Sequence, residues 1–299
     1  MDITKYLDTW AAAYRNDLIE NIMPFWMKFG LDRKHGGIYT CLDRDGKLMD
    51  STKSVWFQGR FGFIASYAYN HIEKKQEWLA ASKSCIDFIE THCTDIDGHL
   101  FFEVTEEGIP LRKRRYVFSE CFAAIAMSEY AIASGDKSYA TKALEIFKRT
   151  LKFLSTPGFL EPKYLPTLQS RGHSITMILI NTASRIREVI EDPVLDRQIN
   201  ESLTSIRQYF MHPEFKALLE MVGPKGELID TCNGRTINPG HCIETSWFIM
   251  EEARHRNWDK DLVQLALQIL DWSWEWGWDK EYGGIINFRD CKNFPPQDY

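Results

Sequence analysis

The sequence predicts an all-α fold, an α/α toroid with short β-hairpins in its long loops. Three observations carry this prediction. Nine segments have helical periodicity, every second one is apolar nearly all round, and a turn–strand–turn pattern recurs in the connections. Buried inner helices alternating with amphipathic outer ones, joined by a long loop and then a short one, describe a ring of helical hairpins. The inner helices line a central cavity and the long loops gather at one mouth.

In chain order, helices are expected at about residues 3–29, 52–72, 75–93, 117–134, 136–154, 171–190, 193–211, 239–256 and 258–277, their ends set to within a few residues. The second, fourth, sixth and eighth are the apolar ones: Val55-Trp56-Phe57 through Ile64, Phe118 through Met127, Ile175 through Ile180, and Ile243 through Met250. Helices of that kind are buried. The others are amphipathic, as in Tyr139–Phe153, where Lys142, Glu145, Lys148 and Arg149 face out. Nine helices are fewer than a closed (α/α)6 barrel contains, and the chain stops at Pro295-Pro296-Gln297-Asp298-Tyr299, inside a loop. The expectation is one domain over residues 1–299, a barrel incomplete at its C-terminal end.

The loops repeat a motif. Asp32-Arg33-Lys34-His35-Gly36-Gly37-Ile38-Tyr39 has a counterpart in Asp279-Lys280-Glu281-Tyr282-Gly283-Gly284-Ile285. Weaker copies are Asp95-Ile96-Asp97-Gly98-His99-Leu100 and the Glu220–Leu228 stretch with Gly223 and Gly226. Each reads as a short hairpin, a turn followed by a few alternating apolar residues. A missing copy would fall near Ser155–Thr167, a Pro- and Gly-containing loop.

Composition narrows the function classes. With 299 residues and 44% hydrophobic content the chain can bury a large core. No apolar run reaches membrane-spanning length, and Met1-Asp2-Ile3-Thr4-Lys5 lacks the basic start and apolar core of a signal peptide. Seven cysteines without a C-x-x-C pair read as reduced thiols, so a cytoplasmic location is expected. A net charge of -6 gives no electrostatic case for a nucleic-acid partner, and the basic run Arg112-Lys113-Arg114-Arg115 reads as a solvated loop. Patterns for zinc hydrolases, phosphate loops and dinucleotide sites are absent from the sequence, which weakens those three readings.

The stretch Asn238-Pro239-Gly240-His241-Cys242-Ile243-Glu244 carries the sharpest chemical signal. Asn238 is a good N-cap and Pro239 suits the first helical position, where its missing N–H costs nothing. His241 and Glu244 then share a face in the first turn. Partial positive charge at the helix N-terminus keeps the imidazole neutral, and a neighbouring carboxylate can set its tautomer, which makes a general base. By spacing alone, a capped helix whose His and Glu merely satisfy each other stays open.

Other candidates sit on the apolar helices. Trp56 and Arg60 are one turn apart, and a cation on an apolar segment must be paired with a carboxylate or face a polar cavity. Glu120 follows Ser119 at a helix start, where the dipole alone accounts for a carboxylate. Asn181, inside the sixth helix, bonds either a neighbouring backbone or a ligand hydroxyl. His173 reads as a loop histidine, and His35, His71, His92, His99, His212 and His255 are given no role.

Together, Trp56-Phe57-Gln58-Gly59-Arg60, Phe118-Ser119-Glu120-Cys121-Phe122-Ala123-Ala124, Ile237-Asn238-Pro239-Gly240-His241-Cys242-Ile243-Glu244 and Asp279-Lys280-Glu281-Tyr282-Gly283-Gly284 resemble the N-acylglucosamine 2-epimerase family, collinearly over the whole chain. The resemblance implies an (α/α)6 barrel that interconverts N-acetylglucosamine and N-acetylmannosamine through an enediolate. It implies His241 as acid/base, Glu244 as its orienting carboxylate, and Arg60 at the oxyanion. Trp56, Asn181, Asn238 and Glu120 are the expected substrate contacts. No metal is required, ATP or another nucleotide is the expected effector, an amino sugar the expected small-molecule partner, and a homodimer the expected assembly. Relatives acting on cellobiose or free aldoses carry Met-His-x-x-Glu on the sixth helix, where this chain has Met177-Ile178-Leu179-Ile180-Asn181, as in the N-acylglucosamine branch. The family's second acid/base histidine and a Trp-Trp-x-His segment follow the point where this chain stops. Two other readings stay open: a non-catalytic sugar- or protein-binding toroid, and an inverting glycoside hydrolase using Glu120 and Glu244.

Overall fold

Alternating apolar and amphipathic periods yield nine α-helices longer than three residues in the computed structural model, which describes residues 2–113, 116–161 and 164–296. Arg114 and Arg115 of the basic run, part of the expected Ser155–Thr167 hairpin copy, and the last three residues lie outside them. The chain divides into two units. One runs through Glu161 and adds Glu188–Ile190; the other comprises the stretch ending at Arg187 and everything from Glu191 on.

The first unit opens with α1 (Ile3–Asp17), capped by the Asp2 carboxylate on the N–H groups of Thr4 and Lys5. Helical backbone continues to Gly30, but not as the single α-helix expected. Pro24 supplies no N–H to the ladder, and π-helical turns at Leu18–Ile22 and Trp26–Gly30 flank the short turn Met23–Phe25. There follow strands β1 (Cys41–Leu42), β2 (Leu48–Asp50) and β3 (Lys53–Ser54), then helices α2 (Val55–His71) and α3 (Gln76–His92). Strands β4 (Glu103–Val104) and β5 (Pro110–Arg112) precede α4 (Phe118–Ser134) and α5 (Ser138–Ser155). β1 pairs with β2, and β3–β4–β5 form a three-stranded antiparallel sheet.

α2 packs on α4 and α3. The approach to α4 requires Gly59, where a β-carbon would stand 2.6 Å from the Phe122 backbone. Small side chains fill the α2–α3 contact, with Ser66 Oγ 2.7 Å from Ser82 Oγ, which donates to Gly62 O. As expected, α4 is buried on nearly every side. α2 differs: Phe57, Arg60, Ile64 and Tyr67 form one exposed stripe along it.

The second unit contains β6 (Arg171–Gly172), α6 (His173–Arg187), α7 (Pro193–Ser205) with a π-helical turn Ile206–Phe210, β7 (Met211–His212), β8 (Ala217–Leu218), β9 (Met221–Val222), β10 (Thr236–Ile237), α8 (Pro239–His255), α9 (Lys260–Gly277) and β11 (Arg289–Asp290). All strand pairs are antiparallel: β6 with β9, β7 with β8, β10 with β11. α8 packs on α9 and α6. Ser246 Oγ donates to Ala266 O at 2.7 Å, and the fully buried Glu252 holds Arg187 of α6 and Arg256.

The repeated loop motif has one geometry in both units. Asp32 and Asp279 each accept, through Oδ1, the N–H groups two and three residues on. Each also takes an N–H from the first glycine of the pair, at Gly36 and Gly283. Gly36, Gly37, Gly283 and Gly284 all have φ between 72° and 87°, a region open to glycine and strained for other residues.

No helix among the described residues is long and apolar enough to cross a membrane.

Candidate active site

The sequence Arg235-Thr236-Ile237-Asn238-Pro239 becomes a rigid platform for the start of α8. Arg235 Nε donates to Asp290 Oδ2 at 2.8 Å and its Nη1 to Asp230 Oδ1 at 2.9 Å, while β10 pairs with β11. Asn238 then caps the helix: its Oδ1 accepts the His241 N–H at 3.1 Å. Behind the cap, α9 ends at Gly277, where a β-carbon would stand 2.5 Å from Pro239 Cβ. His241 is held at the helix mouth with its side chain 37% exposed.

The carboxylate that meets this imidazole is Glu220, with Oε1 2.9 Å from His241 Nδ1. The sequence expectation put Glu244 in that place. Glu220 lies in the β8–β9 connection and is pinned through its backbone: its N–H donates to Thr236 O at 3.1 Å, and its carbonyl accepts the His173 N–H at 3.0 Å. Its carboxylate therefore has little freedom to turn away. Burial alone would raise this carboxyl, but hydrogen bonds and charge from His173 and His241 outweigh it and hold it down at about 2. Glu220 is thus a full negative charge across the physiological range, and it selects the His241 tautomer with the proton on Nδ1.

His173, expected in a loop, is the first residue of α6 and fully buried. Its Nδ1 is 3.5 Å from Glu220 Oε1 and its Nε2 is 3.0 Å from Thr245 Oγ1. One carboxylate thus serves two imidazoles. His241, Glu244 and Trp247 follow at helical spacing on α8, and Trp247 is half exposed, so this side of the helix is open. Asn181 is half-buried on α6, and among the described residues its amide makes no hydrogen bond. Asn238, expected to touch substrate, is buried and committed to the cap.

The remaining candidates belong to the first unit. Trp56 is half-buried in an aromatic cluster, edge-on to Phe102 at 5.1 Å and tilted on Phe118 at 5.2 Å. Arg60 is exposed, and its guanidinium lies 4.3 Å over the Phe122 ring. Among the described residues no carboxylate comes within ion-pair distance of it, which removes the buried-pair reading. Glu120, expected to face the sugar, is instead fully buried: Oε1 accepts the Leu100 N–H at 2.6 Å and ties α4 to the loop copy that begins at Asp95. Burial pushes this carboxyl up to about 7 against the pull of that N–H. The first unit also brings His35, Glu106 and Glu107 within 4.8 Å of one another, a spacing that could hold a cation.

Sequence reasoning missed Glu220 and misplaced His173. The available signal was the Leu218-Leu219-Glu220-Met221-Val222 run, a lone carboxylate among apolar strand residues, which must find a partner if buried.

Residues 37–299 match the family model described as N-acylglucosamine 2-epimerase (GlcNAc 2-epimerase). The chain is 28% identical to the N-acylglucosamine 2-epimerase of Rattus norvegicus over 298 residues, covering 97% of this chain and 71% of that protein. It is 31% identical to a cellobiose 2-epimerase of Ruminococcus albus over 139 residues, 46% of this chain and 35% of that one. In fold it is similar to the cellobiose 2-epimerase of Bacillus thermoamylovorans, with a TM-score of 0.83 at 20% identity, over 95% of this chain and 76% of that chain. The predicted fold class, the α/α toroid, is thereby borne out.

Proposed function

The chain belongs to the N-acylglucosamine 2-epimerase family, and from that premise we propose that it interconverts N-acetylglucosamine and N-acetylmannosamine by moving the proton on C2. The observation that carries the reading is His241 at the mouth of α8 with its Nδ1 on the ionised Glu220. With Nδ1–H donated to the carboxylate, Nε2 is the basic nitrogen. In the open-chain sugar the C2 proton is acidified by the C1 aldehyde. His241 Nε2 takes that proton, the C2–H electron pair moves into a C1–C2 double bond, and negative charge collects on O1 as an enediolate. Return of that proton from Nε2 to C2 on the same face restores the starting sugar; delivery of a solvent proton to the opposite face, with Nε2 giving its own proton back to solvent, gives the epimer. No atom is gained or lost. The cation for the developing oxyanion is, by the motif resemblance, Arg60, and Glu244 lies one turn from the imidazole to meet a sugar hydroxyl. Ile178 and Asn181, which stand where relatives acting on cellobiose carry His and Glu, favour the amino-sugar substrate.

Proton NMR of the chain incubated separately with N-acetylglucosamine, N-acetylmannosamine and cellobiose tests this reading. The expected result is a new anomeric signal from the C2 epimer of either amino sugar and none from cellobiose. Turnover of cellobiose alone would overturn the substrate assignment, and ligand shifts without a new sugar would point to the binding toroid.

A further inference from the structure

The mechanism proposed above uses one imidazole, yet Glu220 carries two. His173 is fully buried, lies on a different helix from His241, and reaches the same carboxylate oxygen. Its proton inventory can be counted. Thr245 Oγ1 sits 2.8 Å from the His241 carbonyl, the back-bond a helical threonine makes to the residue four earlier. That hydroxyl has a single hydrogen. If it donates to the carbonyl, it can only accept from His173 Nε2, 3.0 Å away, so Nε2 carries a proton. At the other side of the ring, Nδ1 is inaccessible and has no ordinary hydrogen-bond partner among the described residues; the Glu220 carboxylate is 3.5 Å away. A bare lone pair there, itself inaccessible to water, would face a negative oxygen, whereas a proton there makes a compensated ion pair.

We infer that His173 is a positioning residue for the proposed reaction: protonated on both ring nitrogens, it neutralises and clamps Glu220, so that the shared carboxylate fixes the His241 tautomer without drawing a second proton onto the base. This rests on the reading of His241 as that base. The consequence is electrostatic. An unshared Glu220 would hold a proton on His241 more tightly and keep it cationic to higher pH. A Glu220 shared with a cation still orients the imidazole but draws a second proton onto it less strongly. The groups around His173 are consistent with this. Glu220 approaches from the strand connection and Thr245 from α8, while His241 and Cys242 lie within reach of the Glu220 charge. Phe210 from the π-helical turn covers the ring at 5.5 Å. Arg171, two residues earlier, turns away to Pro224 O and the Tyr209 ring. Burial first, and then the charge of Glu220, push the Cys242 thiol well above its ordinary value, so it stays neutral.

Two measurements on the full chain test this. In ¹⁵N-histidine-labelled protein at pH 7.5, long-range proton–nitrogen correlation should show both His173 nitrogens protonated and His241 with one protonated nitrogen, His173→Gln providing the assignment. A non-protonated His173 nitrogen at that pH would overturn the inference, whether or not any sugar turns over. In the activity assay, His173→Gln should move the acidic limb of kcat/KM to higher pH by about half a unit or more, with the plateau kcat within a few-fold. An unmoved limb with a depressed plateau would mean that His173 only packs. Absence of turnover in the parent chain would undercut the proposed reaction and leave the NMR result standing by itself.

Discussion

Gly277, the last residue of α9, lies against Pro239, the first residue of α8, so closely that a β-carbon on the glycine would stand 2.5 Å from the proline Cβ. The cap residue Asn238 and the imidazole of His241 stand on either side of that proline, so the contact sets where the imidazole sits. Gly277→Ala should push Pro239 outward. The expected loss is about 1–3 kcal/mol of stability, the usual range for overpacking, with a larger relative fall in kcat than in KM. Thermal melting and steady-state kinetics on the same preparation check it.

Lys53 is a buried cation that holds two loops of the first unit together. Its ammonium donates to Asp32 Oδ2 at 2.7 Å, Gly36 O at 2.8 Å and Glu106 O at 2.7 Å. Lys53→Met keeps the stem but leaves Asp32 charged and unpaired in the interior, and should cost about 3–5 kcal/mol. Adding Asp32→Asn, which removes the charge and keeps an acceptor for the turn N–H groups, should restore part of that. Denaturant unfolding of the two variants measures both effects.

Glu120 makes stability depend on pH. Its carboxyl is raised by burial to about 7 in the folded chain, from an ordinary value of 4.5. A raised carboxyl contributes stability that is fully present below about 4.5 and is lost as pH rises through about 7, with an upper bound of roughly 3 kcal/mol from this shift. Glu120→Gln keeps an oxygen for the Leu100 N–H and removes the titration. Between pH 5 and 8 the parent Tm should fall more steeply than that of the variant, and equal slopes would mean that Glu120 is ionised in the folded chain.

The helices were legible because each carries its own period. Asn238 and Pro239 mark a helix start where they stand, and the Gly36-Gly37 and Gly283-Gly284 pairs mark turns that only positive φ permits. The site was half legible. His241 could be placed because capping and helix spacing are local. Glu220 could not, because it reaches His241 through the register of β6 with β9 and of β10 with β11, which the spacing of residues does not encode. The same holds for His173, whose role depends on a backbone bond to Glu220. Reasoning from the polar character of Arg60 offered a buried pair or an open face, and burial, the deciding quantity, comes only from how α2 packs.

In the proposed reaction His241, oriented by Glu220, removes the C2 proton of an N-acetylated amino sugar. Exchange of that proton for deuterium tests it most directly. N-acetylmannosamine is incubated with the chain in D₂O, and the C2–H signal is followed by NMR for the parent, His241→Asn and Glu220→Gln. The parent should show steady loss of the signal, and His241→Asn a rate lower by about 10²–10⁴-fold, the contribution of one general base. Glu220→Gln should fall between them, because the amide orients the ring less firmly. Exchange by His241→Asn within a few-fold of the parent would contradict the claim.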